Sequence, residues 1–133
     1  MAADGLITIE SRYGPEETMN RFEAEVRARG MTVFAHIDRA AGAAAVGLPL
    51  RPTELLIFGN AKTGTPLMQS TQMSGIDLPL KALVWQDASG TAWLSYNDPA
   101  FIARRHGVEG AENMTTNALA ALEAIASKAT ATS

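Results

Sequence analysis

The chain has 133 residues, with 11 basic and 14 acidic side chains, a formal net charge of -3 and no cysteine. That length suits one domain around one core, and an apolar share of 47% is globular rather than disordered. Mild acidity argues against nonspecific binding to nucleic acid or anionic membranes, which needs a cationic surface. The missing cysteines exclude disulfides, thiolate catalysis and cysteine-held metals.

Met1 to Gly5 shows no charged region leading into an apolar run, so no secretory leader is read and a cytoplasmic location is expected. No window nears the roughly 20 apolar residues that span a bilayer. Leu6-Ile7-Thr8-Ile9 reads as a first strand. Gly14-Pro15-Glu16-Glu17 opens a helix, because proline fits the first turn and the glutamates complement its positive end. Met19, Phe22 and Val26 give that helix one apolar face, and Gly30 supplies a left-handed stop. Met31 to Ile37 has the period of a strand, and the alanine-rich run from Ala40 to Gly47 reads as a short helical turn. Pro49 and Pro52 keep the backbone extended. Glu54-Leu55-Leu56-Ile57-Phe58 is apolar on consecutive positions, the mark of a strand covered on both faces.

Thr65-Pro66 reads as the start of a second helix running to about Gln72. Leu80 to Gln86 and Thr91 to Tyr96 form a hairpin across Asp87-Ala88-Ser89-Gly90. Asp98 is placed to cap a short helix with Pro99 at its first position, ending at Gly107. A last helix, residues 109–128, buries Leu119, Leu122 and Ile125, and residues 129–133 read as a frayed tail. The order β-α-β-β-α-β-β-α predicts an α+β fold, a mainly antiparallel sheet with helices packed on one face. Residues 1–133 make a single domain. The doubly apolar strand needs cover on its second face, and a homodimer would provide it.

Laid out this way, the chain resembles the family catalogued as domain of unknown function 302. The likeness covers about residues 6–108 and rests on Pro52-Thr53-Glu54-Leu55-Leu56-Ile57-Phe58-Gly59-Asn60, Gly64-Thr65-Pro66-Leu67-Met68, Asp77-Leu78-Pro79-Leu80 and Leu94-Ser95-Tyr96-Asn97-Asp98-Pro99. The resemblance implies a fold of the TATA-binding-protein-like group, commonly homodimeric, and no established activity. Two positions depart from the family pattern: Arg39 stands where a histidine is usual, and Ala61 where a proline usually follows the Gly-Asn pair. Guanidinium stays protonated and cannot serve as a ligand or proton carrier, so no such role carries over to Arg39.

The segment from Leu56 to Met68 is the leading site. Gly59 and Gly64 permit close backbone approach, Thr65 can cap a helix whose first amides lack internal partners, and Lys62 adds an ammonium. A small anionic ligand would suit Asn60, Lys62, Gly64 and Thr65, with Arg39 and Tyr96 as outlying members. A plain strand-to-helix turn explains the same residues. The lysine precedes the second glycine, so no nucleotide-binding loop is read. His36 and His106 lack an evident third ligand, so neither metal nor cofactor is expected. Trp85, Trp93 and Tyr96 read as core, with a ligand-contacting or dimer-contacting surface as the alternative; Met68 and Met73 read as gap fillers. No catalytic set emerges. The expected function is a non-enzymatic small-ligand or interaction module. The alternatives are an enzyme of unknown reaction, with a site formed across the dimer from His36, Asp38 and Arg39 near Lys62, and a purely structural adaptor.

Overall fold

The structure, a computed structural model, describes residues 3–131. Its elements in order are β1 (Leu6–Glu10), α1 (Pro15–Ala28), β2 (Thr32–Asp38), α2 (Arg39–Ala45), β3 (Thr53–Gly59), α3 (Ala61–Ser70), a 3-10 turn (Gln72–Asp77), β4 (Leu80–Gln86), β5 (Ala92–Asn97), α4 (Pro99–Arg105) and α5 (Glu112–Thr130). The strands form one sheet in the order β1-β5-β4-β3-β2, and every neighbouring pair is antiparallel. This is the α+β architecture read from the sequence.

The local signals behave as their chemistry dictates. Pro15 sits at the start of α1 behind Gly14, Glu16 and Glu17 occupy the first turn, and Gly30 takes a φ of +77° just past the end. Asp98 caps α4 by accepting from the Ala100 amide. In the hairpin turn the Asp87 carboxylate accepts from the Ser89 and Thr91 amides and, at 2.9 Å, from the Trp93 indole.

α1 and α5 cover one face of the sheet. Met19, Phe22 and Val26 from α1 and Leu122, Ile125 and Ala129 from α5 close over Leu56, Phe58, Val84 and Leu94. Phe22 meets Phe58 edge to face at 5.4 Å. Fully burying one such side chain contributes about 1.5–3 kcal/mol, so this layer dominates stability. The other sheet face carries no helix of its own among these core contacts. There Trp85 stacks on Trp93 at 6.1 Å, and Ser95 Oγ accepts from the Trp85 indole. Of the three aromatics expected in the core, Tyr96 lies there among the helices, whereas Trp85 and Trp93 are only partly buried on this other face.

The start of α3 and the end of α5 differ from the sequence reading. α3 begins at Ala61, four residues before Thr65, because the Asn60 side chain captures the Thr63 amide and starts the helix early. Pro66 consequently lies inside α3 rather than at its start. α5 runs to Thr130, and Ala129 and Thr130 are fully buried, where a tail was expected. The Thr130 carbonyl accepts from the Arg12 amide, which ties this end to the loop after β1. The rest of the expected tail, residues 132–133, and residues 1–2 of the segment read for a secretory leader lie outside the described residues. Met73 is 76% exposed and fills no gap, while Met68 does contact its surroundings.

Candidate functional site

β3 ends at Gly59, whose φ of +152° is open to glycine far more than to other residues. The chain then turns through Asn60 into α3. Asn60 Oδ1 accepts from the Thr63 amide at 3.0 Å and lies 3.1 Å from the Thr63 hydroxyl, and the Asn60 carbonyl accepts from the Gly64 amide. The amides of residues 63 and 64, which an anion would have used, are thus already engaged by the turn itself. The strand-to-helix explanation accounts for this part of the segment.

Behind the turn lies a cleft of about 370 Å³. α3 forms one wall with Gly64, Leu67 and Met68, and the segment Leu78-Pro79-Leu80 forms the floor. Pro99 and Ile102 of α4 and Met114, Thr115 and Ala118 of α5 make the opposite wall, while Phe34 of β2 stands at the rim. No charged side chain lines it. Its polar groups are few and mostly satisfied at home: Asn60 caps α3, and the Thr115 hydroxyl donates to the Glu112 carbonyl at 3.1 Å. An ion placed there would lose water without gaining a partner.

Of the six residues expected to form the site, Asn60, Gly64 and Thr65 line this cleft. Lys62 does not; it lies exposed in the first turn of α3. Arg39 opens α2 beyond the Asp38–Glu54 end of the β2–β3 ladder, whereas Lys62 follows the Thr32–Gly59 end. About 20 Å of strand separates the two. Tyr96 is 4% exposed in the helix-covered core. Its hydroxyl is held neutral to higher pH by burial first, and then by the charges of Glu123 and Asp98.

The acid–base candidates are also spoken for. His36 reaches Glu23 of α1 at 3.2 Å through Nδ1 and Glu54 of β3 through Nε2, and Asp38 caps α2 at the Ala41 amide. His106 donates to Asp77 at 2.6 Å, beside the Arg105 guanidinium at 2.7 Å. Partial burial pushes the Asp77 carboxyl upward, but His106 and Arg105 outweigh it and hold it below its usual range. Both histidines therefore have the carboxylate partners that the sequence did not reveal, and Asp77 joins the 3-10 turn to α4 rather than merely ending a turn. Within one chain His36, Asp38 and Arg39 do not converge on Lys62. Among the described residues no group of three or more histidines and carboxylates is arranged to hold a metal ion. What sequence reasoning missed was the rest of the site: Phe34 of β2, Leu78 before β4, Ile102 of α4, and Met114 and Ala118 of α5 come from distant parts of the chain and carry no chemistry-bearing pattern.

Comparison with known proteins places this geometry. A crystal structure of an uncharacterized conserved protein, DUF302, from Bacillus stearothermophilus superposes with a TM-score of 0.84. It covers 96% of this chain and 99% of that one at 20% identity, which establishes the shared fold. Part of the fluoride-specific ion channel FluC 1 of Brucella suis is 51% identical over 104 residues, 78% of this chain and 41% of that protein. FluC 2 of Brucella melitensis matches equally, over 38% of its length. The chain thus spans about two-fifths of these curated relatives. Among its described residues no helix is long and apolar enough to cross a membrane. The model of the family described as "Domain of unknown function DUF302" matches residues 7–128, and the chain belongs to that family.

Proposed function

We propose that this chain is a homodimeric binding module whose cleft takes a small, uncharged and mainly apolar ligand. The uncharged lining of a 370 Å³ cleft carries the reading, since small-molecule sites are concave, mostly apolar and of about 300–1,000 Å³. The anionic ligand first expected at Asn60, Lys62, Gly64 and Thr65 keeps a place only outside the cleft, beside Lys62. Thermal melting against a panel of neutral and anionic small molecules tests the assignment. A true ligand at about 100 times its Kd adds about 2.7 kcal/mol of stability. Ala118→Phe, which projects a ring into the cleft, should abolish that shift while preserving the fold. Neutral-ligand shifts that persist in Ala118→Phe, or shifts produced by inorganic phosphate alone and lost in Lys62→Ala, would overturn it.

The Brucella relatives favour a second reading. A channel needs segments that cross the membrane, and the described residues of the chain that matches two-fifths of those proteins include no helix long and apolar enough to do so. On this reading the module is an adaptor that works beside a fluoride channel, as the part it matches in the Brucella proteins belongs to chains named for one. Deleting the gene for this chain should then sensitise its host to sodium fluoride, with restoration by the intact chain. Unaltered growth across the fluoride series would remove this reading and leave the cleft untouched.

A further inference from the structure

We propose that Phe34 is the selecting wall of the cleft, laying its ring against a flat apolar portion of the ligand. The inference rests on the cleft being a ligand site and adds what the ligand must look like. β2 is one of the two edge strands of the sheet, and its ladder with β3 skips one residue: Val33 opposes Phe58, Ala35 opposes Ile57, and Phe34 has no opposite. An extra residue in a ladder re-aims its side chain and is over-represented at binding sites. Here the extra residue is an aromatic that reaches the rim of the cleft.

Phe34 is 56% exposed, and it is the one large apolar residue lining the cleft that is exposed. Leu67 and Ile102, by contrast, are 6% and 2% exposed and already packed. Phe34 therefore has a free face and the most apolar surface to gain by contact. Aromatic rings prefer offset or edge-on partners, so a planar ring system fits better than a branched aliphatic body. The rim beside it carries Asn60 and Thr63, whose side chains serve the α3 cap. Selection by shape at Phe34 is thus the main discriminator the cleft offers.

Titration with N-phenyl-1-naphthylamine, a neutral fluorophore carrying a flat naphthalene ring system, separates the two levels. Wild type and Phe34→Tyr should enhance its emission with similar affinity, Phe34→Ala should bind about tenfold more weakly, and Ala118→Phe should not bind. Phe34→Ala should melt with the wild type, because an exposed ring contributes little to the fold. Equal binding by wild type and Phe34→Ala, with none by Ala118→Phe, would overturn the role of Phe34 and keep the cleft. Binding that survives Ala118→Phe, or no binding by any form, would overturn both. A change of oligomeric state in Phe34→Ala would assign the ring to a subunit contact instead.

Discussion

His36 presents its two ring nitrogens to carboxylates from different elements, Glu23 of α1 and Glu54 of β3. A neutral imidazole carries one N–H, so only the imidazolium donates to both. Partial burial opposes that charge, but Glu54 and then Glu23 outweigh it and hold the pKa above its ordinary 6.5. Arg27 shares Glu23 at 3.1 Å, and Asp38 lies two residues along the same strand. With the folded value raised, the contribution of the pair is fully present below pH 6.5 and is lost as pH rises through the folded value. His36→Gln should therefore be less stable than wild type at pH 5.5, by at most about 1 kcal/mol for so accessible a pair. The difference should fade by pH 8.5, as urea unfolding at both values would show. A constant difference would mean that packing, not charge, holds His36. Asp87 runs the other way: the Trp93 indole, the Ser89 hydroxyl and the Thr91 amide hold its carboxyl down to about 2. Its contribution is present above the ordinary carboxylate value and is lost only as pH falls through about 2, so the hairpin turn stays charged well into acid.

At the scale of elements, what could be read in advance was whatever local chemistry determines. Gly14-Pro15, the left-handed Gly30, the Asp87–Gly90 turn and the Asp98-Pro99 cap each act within a few residues, and each formed as read. α3 shows where local signals compete. Thr65-Pro66 and Asn60 both look like helix starts, and Asn60 prevails because its side chain reaches the Thr63 amide at once. The ion pairs were beyond reach for a different reason: His36 and Glu54 are 18 residues apart, and His106 and Asp77 are 29. Only the sheet register and the docking of α4 bring them together. The cleft is hidden most completely, since its walls join α3, α4, α5, β2 and the approach to β4. Most lining side chains look like ordinary core in their own elements, and the motifs through Leu78–Leu80 and Pro99 gave no sign that they meet the turn at its mouth.

For the molecule as a whole, the sheet face away from α1 and α5 remains to be explained. Strand alternation puts Leu55, Ile57, Leu83, Trp85 and Trp93 on that face with Thr8 and Ser95, which bond to each other at 2.8 Å. Lys81 shares the face but directs its ammonium to the Pro79 carbonyl. Such a surface has the composition of an interface core, aromatic and aliphatic with little charge. A second copy of the same face is the simplest cover, because a twofold contact uses one patch twice and closes on itself. A standard interface needs about 800 Å² from each partner, and a five-stranded sheet presents a surface of that order. Leu83 lies on β4, the middle strand of the sheet, so in a twofold pairing its two copies would lie near the axis. Leu83→Asp would then bury two carboxylates against each other, at several kcal/mol, weakening the dimer on the order of a hundredfold. Because Leu83 is only partly buried in one chain, the variant should keep its circular dichroism and its ligand-induced melting shift. Sedimentation of wild type as a dimer and of Leu83→Asp as a folded monomer is the expected result. A wild-type monomer at every concentration tested would leave this face without a second copy, and a Leu83→Asp dimer would move the contact to another surface.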